Sequence, residues 1–409
     1  LAGPGEGQNS YDTPWLFGSY GDGLNEIAAR FHSYVRSLHP RLFSHGRPVI
    51  LNTWEAVYFD HNFDTLKALA DRAADSGVER FVVDDGWFGS RRDDTSGLGD
   101  WQIAQDVWPD GPKSLKALAD YVHAKGMEFG LWFEPEMVNP DSDVARNHPD
   151  WILSPTAGRL PLQGRTQQVL DLTNPDAFDY IYGCMDQLVG ELGIDYIKWD
   201  ANMTLFNYGS TYLPRDKQSH LYIAYHRGLE NILKRIHAKY PGLVMQACAS
   251  GGGRINYGLL PYYDEFWTSD NTDALQRIFI QWGVSNFFPA VAMASHVSVD
   301  TNYQTGRKTP LKLRFDVAMS GRMGMELQPA HMTDEDKAFA RRAIADYKLI
   351  RPVVQQGDLY RLISPYDKTG YASLMYVAPE KDRAVWFVYK LEHFLNMPSP
   401  AFRMAGLDP

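Results

Sequence analysis

The chain has 409 residues, 44% hydrophobic and 22% charged, which suits a soluble α/β body with a large core and a smaller appendage. Its formal charge of −10 speaks against a nucleic-acid backbone or an anionic membrane as partner, since both select clustered Lys and Arg. Two cysteines, Cys184 and Cys248, cannot build a disulfide scaffold; no CxxC metal box occurs, and no apolar run approaches the ~20 residues of a membrane span.

Residues 1–46 read as a lead-in. A Gly-rich stretch opens at Leu1 with no signal peptide, and "GLNEIAARFHSYVRSLH" forms one amphipathic helix. With no initiator Met at Leu1, the natural N-terminus is expected to lie upstream. The compartment is left undetermined, with the cytoplasm favoured over the periplasm or secretion.

From residue 47 to 352, β-like runs alternate with amphipathic helical stretches. The strand candidates are "PVILNTWEAV" (48–57), "RFVVDDGW" (80–87), "EFGLWFEP" (128–135), "QVLDL" (168–172), "YIKWD" (196–200), "LVMQAC" (243–248), "FWTSDN" (266–271) and "PAVAMASHVS" (289–298). Helices are predicted over 62–76, 113–125, 176–191, 216–239, 272–282, 311–320 and 333–350, the last opened by a Thr333 cap with Asp336 three residues on. Eight such units have the rhythm of a (β/α)8 TIM barrel, an α/β fold; a doubly wound sheet would show a Gly-rich turn after its first strand. Residues 353–409 change to period-two alternation, as in "YASLMYVA" and "AVWFVYK", and break off at "AGLDP". They read as a short, truncated C-terminal antiparallel β domain.

In such a barrel the C-terminal strand ends form the active-site rim. Here they carry Trp54 with Glu55, Asp84 with Asp85, Trp132 with Glu134, Asp171, Lys198 with Asp200, Cys248, Asp270 and His296. One such Asp is more often a loop-capping carboxylate than a reactive group, but the joint pattern suits a neutral polyol: aromatic faces pack on sugar C–H groups and carboxylates take hydroxyl protons. No close-set histidine pair suggests a metal, and no cofactor is implied. Glycoside cleavage needs two carboxyl groups, and Asp200 and Asp270 are the best pair, ending strands five and seven of this count. Lys198, on the same strand face as Asp200, should keep it ionised; Asp270, beside Phe266 and Trp267 without a nearby cation, should hold its proton more easily.

The motifs "DDGWF", "WFEPEM", "YIKWD", "CASGGGR" and "WTSDNTDA", in this order, resemble those of the bacterial-type α-galactosidases of glycoside hydrolase family 36. The resemblance runs from about Trp15 to Pro352. It implies a retaining mechanism through a covalent galactosyl-enzyme, with Asp200 as nucleophile and Asp270 as acid/base. It also implies a sugar pocket lined by Trp54, Asp84, Asp85, Trp132, Arg165, Lys198, Cys248 and Gly251, with Asp84 and Asp85 on the 4- and 6-hydroxyls and Cys248 and Gly251 near the 2-hydroxyl.

Glu134 and Glu136 are expected to brace loops, and His61 and His296 to be hydrogen-bonded structural residues. The family usually carries a β-sandwich ahead of the barrel that is absent here, and many members have Asp where Asn256 stands. The expected partner is a small carbohydrate such as raffinose or melibiose, with homo-oligomerisation left open. The competing readings are an α-N-acetylgalactosaminidase, a transglycosylase, and a truncated barrel that binds galactose without turnover.

Overall fold

In the computed structural model, residues 13–39, 46–154, 163–205, 208–393, 395 and 398–408 are described. Eight parallel strands close into a barrel: β1 (Ile50–Asn52), β2 (Arg80–Val83), β3 (Glu128–Phe133), β4 (Tyr196–Trp199), β5 (Val244–Ala247), β6 (Glu265–Trp267), β7 (Met293–Ser298) and β8 (Arg322–Glu326). Each strand pairs with its sequence neighbours, and β8 returns to β1 through Ile50 and Gly324. The (β/α)8 barrel read from the sequence is therefore the fold.

Three strand assignments change. The run 168–172 is no barrel strand: Gln168–Val169 pairs antiparallel with Met137–Val138 in a two-stranded ribbon outside the barrel. The eighth strand is Arg322–Glu326, and Asp200 and Asp270 follow strands four and six of the barrel. In the run 48–57 only Ile50–Asn52 is extended, and Trp54–Val57 is one helical turn.

The helices cover the barrel for identifiable reasons. Phe63–Ser76 starts where Asn62 Oδ1 accepts the Thr65 N–H at 2.9 Å, and buries Leu66, Leu69, Ala70 and Ala73, a 3–4 spacing that makes one face. Pro175–Leu192 opens with an Asn174 cap and Pro175 in its first turn, and stops at Gly193 in the left-handed region. Asp334–Gln356 is capped by Thr333 Oγ1, which accepts the Asp336 N–H at 3.1 Å. That helix runs through Pro352, beyond the predicted 350.

A three-stranded antiparallel sheet (Asp358–Ile363, Tyr371–Val377, Ala384–Lys390) follows. It docks on the barrel through the Tyr376 hydroxyl, which donates to the Ser320 carbonyl at 2.7 Å, and the Tyr389 hydroxyl, which donates to that of Asp316 at 3.1 Å. The helix Leu24–Leu38 joins the same sheet: Asn25 exchanges hydrogen bonds with the Arg361 backbone at 3.0 and 3.1 Å.

Candidate active site

Side chains whose partners lie on non-neighbouring strands must cross the barrel interior. At its lower end, Glu265 on β6 takes the Tyr196 hydroxyl of β4 at 2.7 Å and forms an ion pair with Arg322 of β8. A thin apolar layer of Ile50, Val82 and Tyr196 closes the middle. Two residues further along these strands, at Asn52, Asp84 and Lys198, the polar groups of the rim begin.

Lys198 on β4 reaches across to Asp84 after β2, Nζ to Oδ2 at 2.8 Å, both side chains buried. Asp84 takes two further donors: Asn52 Nδ2 donates to Oδ2 at 2.7 Å and the Asp85 N–H to Oδ1 at 2.9 Å. Burial works against the Lys198 ammonium, yet Asp84 and its acidic neighbours outweigh it and hold the proton more firmly than usual. The direct partner of Lys198 is thus Asp84, and not Asp200 as the strand pattern suggested. Period-two alternation tells which face a residue shares, not which partner on that face it reaches.

Asp200 receives three N–H donors instead. Trp132 Nε1 lies 3.2 Å and Asn202 Nδ2 2.7 Å from Oδ2, and the Ala201 N–H is 2.8 Å from Oδ1. Trp132 ends a chain of indole contacts: Trp108 Nε1 donates to the Trp87 carbonyl and Trp87 Nε1 to the Trp132 carbonyl, both at 2.9 Å.

Asp270 has a different setting. Among the described residues its one side-chain donor is Trp267 Nε1, at 3.0 Å from Oδ1. Burial, reinforced by the Asp200 charge, pushes its carboxyl up, while Lys198, the indole N–H and Arg165 pull the other way. The loop after β5 fixes its backbone: Gly251 sits at φ +81°, and a Cβ there would stand 2.7 Å from Asp270 N and 2.8 Å from Ser269 Cα. Only glycine satisfies both demands.

The other expected residues take these places. Trp54, in the helical turn after β1, donates its backbone N–H to Asn52 Oδ1 at 2.8 Å and packs its ring edge-on to Tyr58 and Phe59. Asp85 is buried and gripped by Arg91, whose Nε and Nη2 donate at 2.8–3.2 Å. Burial pushes its carboxyl up to about 6 against the pull of Arg91. Cys248 is buried against Trp267 and Ala294. Arg165 is exposed in a tight turn between Gly164 and Gln167, at φ +52°, and acts on Asp270 through its charge.

Glu136 does brace: Arg254 Nη1 and Nη2, Trp199 Nε1 and the Tyr225 hydroxyl all donate to it at 2.6–2.9 Å. Glu134 accepts the Asn202 N–H at 2.5 Å and Gln167 Nε2 at 3.1 Å, and burial followed by the Asp200 charge pushes it well above the carboxylate range. Asp171 is a loop-capping carboxylate, taking the Thr173 N–H and hydroxyl at 2.9 and 2.6 Å. His296 Nδ1 bonds Glu326 at 2.9 Å while its buried Nε2 has no partner among the described residues, so only one of its nitrogens is satisfied. Sequence reading missed Asn202, Arg91 and Asn52. The signal for Asn202 was its place two residues after Asp200 in "KWDAN".

Residues 10–357 match the melibiase family profile. The chain belongs to the melibiase family. Mel36A, an alpha-galactosidase of Lactobacillus acidophilus, is 40% identical to this melibiase-family chain over 402 residues, 98% of the chain and 54% of Mel36A. The crystal structure of the family 36 alpha-galactosidase AgaA from Geobacillus stearothermophilus superposes with a TM-score of 0.91 at 39% identity, covering 95% of this chain and 54% of AgaA. A variant of AgaA in complex with raffinose gives a TM-score of 0.91 at 38% identity over the same shares. The chain spans about half the length of the curated relatives it matches.

Proposed function

We propose that this chain is a retaining exo-acting α-galactosidase that removes terminal α-galactosyl groups from raffinose-type oligosaccharides. The observation that carries the reading is the contrast between two rim carboxyls: Asp200 takes three N–H donors, whereas Asp270 has one and is pushed up by burial and by Asp200. The acid of such a pair must hold its proton, and the surroundings of Asp270 act in that sense, while Asp200, oriented by its N–H donors, is the second carboxyl the reaction needs. The names of the relatives and the raffinose-bound neighbour support the substrate class.

In this mechanism a carboxylate oxygen of Asp200 bonds to the anomeric carbon as Asp270 gives its proton to the glycosidic oxygen, and the aglycone leaves as an alcohol. Asp270 then takes a proton from water, whose oxygen attacks the same carbon, and the Asp200 ester bond breaks. Asp84 with Lys198, and Asp85 with Arg91, are ordered in advance to receive sugar hydroxyls. Trp54 and Trp132 wall the ring, Cys248 and Gly251 border the 2-hydroxyl, and Arg165 guards the mouth. The chemistry belongs to residues 47–352, with 1–46 and 353–409 as flanking cover.

The test is initial-rate hydrolysis of p-nitrophenyl α-galactoside by the chain and by Asp200→Ala, with the β-galactoside and the α-N-acetylgalactosaminide as controls. Turnover confined to the α-galactoside, lost in the variant, and releasing α-galactose first in a proton NMR time course is expected. Early β-galactose would refute retention, and preference for the N-acetyl substrate would refute the substrate assignment.

A further inference from the structure

Trp267 ends β6, and two side chains pack against its ring. The His296 ring of β7 lies 4.5 Å from it, centroid to centroid, and the Arg277 guanidinium carbon is 4.4 Å from the indole centroid. Arg277 is 1% exposed, and its Nε and Nη2 have no hydrogen-bond partner among the described residues; Nη1 alone is bonded, to Thr268 Oγ1 and, at 3.3 Å, to the Ala294 carbonyl. Burying a guanidinium with unpaired N–H groups is costly, and the aromatic face beneath it is the compensation on offer. Arg277 and His296 thus both bear on the ring, and its one polar atom points at Asp270 Oδ1.

We propose that Trp267, packed against Arg277 and His296, is a positioning residue that engages Asp270 Oδ1 through its indole N–H and so commits Oδ2 to proton transfer. This rests on the reading of Asp270 as acid/base. An N–H donor favours the ionised carboxyl, so the bond also sets the pH at which Asp270 ceases to be an acid. The acidic groups acting on Asp270 are Asp200, Cys248 and Glu326, and the cations are Lys198, Arg165 and Arg277. Tyr303 and Gln304 donate to its backbone carbonyl at 3.4 and 3.3 Å, and the Tyr303 phenol is a further titratable group that interacts with the Asp270 charge.

The experiment is the pH profile of kcat/KM for raffinose in the chain and in Trp267→Phe, which keeps the aromatic ring and removes the N–H. The basic limb should move up by half a pH unit or more while the acidic limb stays. An unmoved basic limb, or both limbs moving together, would overturn the proposal. A second measurement does not need the variant to fold: in the 15N-tryptophan-labelled chain one indole N–H signal should titrate with the basic limb and cease to do so in Asp270→Asn. If every indole signal behaves alike in the two proteins, the proposal falls. Asp270→Ala separates the underlying reading: it should lose raffinose hydrolysis and, with azide, form galactosyl azide from the nitrophenyl substrate. Undiminished raffinose hydrolysis in Asp270→Ala would refute the acid/base assignment itself, whatever Trp267→Phe does.

Discussion

The side-chain amide of Asn202 donates to Asp200 Oδ2 at 2.7 Å, while Asn202 Oδ1 accepts from the Ser250 backbone N–H and hydroxyl, both at 3.0 Å. Its own N–H goes to Glu134. One asparagine thus ties together the ends of β3, β4 and β5 around a single carboxylate.

Asn202→Ala should lower kcat/KM for an α-galactoside by about 10- to 100-fold, the equivalent of about 1.5–3 kcal/mol for a hydrogen bond to a charged group. Asn202→Asp should lose more, because a second carboxylate beside Asp200 repels the nucleophile. Steady-state rates on p-nitrophenyl α-galactoside decide this; a variant within twofold of the parent would show that Asn202 merely fills space.

Lys198→Met leaves Asp84 buried without its cation. Breaking such a pair costs about 3–5 kcal/mol, so urea unfolding should show a loss of that order. Changing Asp84→Asn in the same chain removes the stranded charge and should recover part of it. If the two changes simply add, the 2.8 Å contact carries no coupling energy.

Gly251→Ala places a methyl group against the Ser269–Asp270 backbone in a left-handed conformation. The strain alone is worth about 1–2 kcal/mol, and relief is available only by moving the Asp270 backbone. Activity should therefore fall further than stability. Parallel thermal unfolding and kinetics would reveal an equal, small loss of both if the loop yields elsewhere.

Burial pushes the Glu55 carboxyl from 4.5 to about 7, although the Thr272 hydroxyl donates to it at 2.7 Å. A folded pKa above the unfolded one means that the native state keeps a proton the unfolded chain has released. Stability from this group is complete below pH 4.5 and drains away as pH rises to about 7. Glu55→Gln cannot titrate, so its stability relative to the parent should improve across that window and stay level above it. A difference independent of pH, measured by urea unfolding at pH 5 and pH 8, would contradict this.

Much of this was legible in the chain. The alternation of strands and amphipathic helices announced the barrel because its outer layers are apolar and periodic. β8 was not legible, because Arg322 and Glu326 face the polar interior and pair with Glu265 and His296, which makes "RMGME" look unlike a strand. The run 168–172 took its place since "QVLDL" is apolar, and a two-residue ribbon has no longer pattern to betray it. At the site, residue types at the strand ends pointed to the chemistry, but the partners did not. Lys198 meets Asp84 across 114 residues of sequence, a pairing fixed only by the curvature of the closed sheet.

That closure has a consequence for how function is acquired. Asp84, Lys198, Asp200, Asp270 and Glu326 follow or belong to four different strands, β2, β4, β6 and β8, and the ring is completed only when Gly324 meets Ile50. No shorter portion of the barrel holds the complete site: a piece ending before β4 would carry Asp84 without its ammonium, and one ending before β8 would leave His296 without Glu326. Recovery of turnover after denaturant dilution is then a timer for the last strand's arrival, and two complementary halves mixed together would be silent until they assembled.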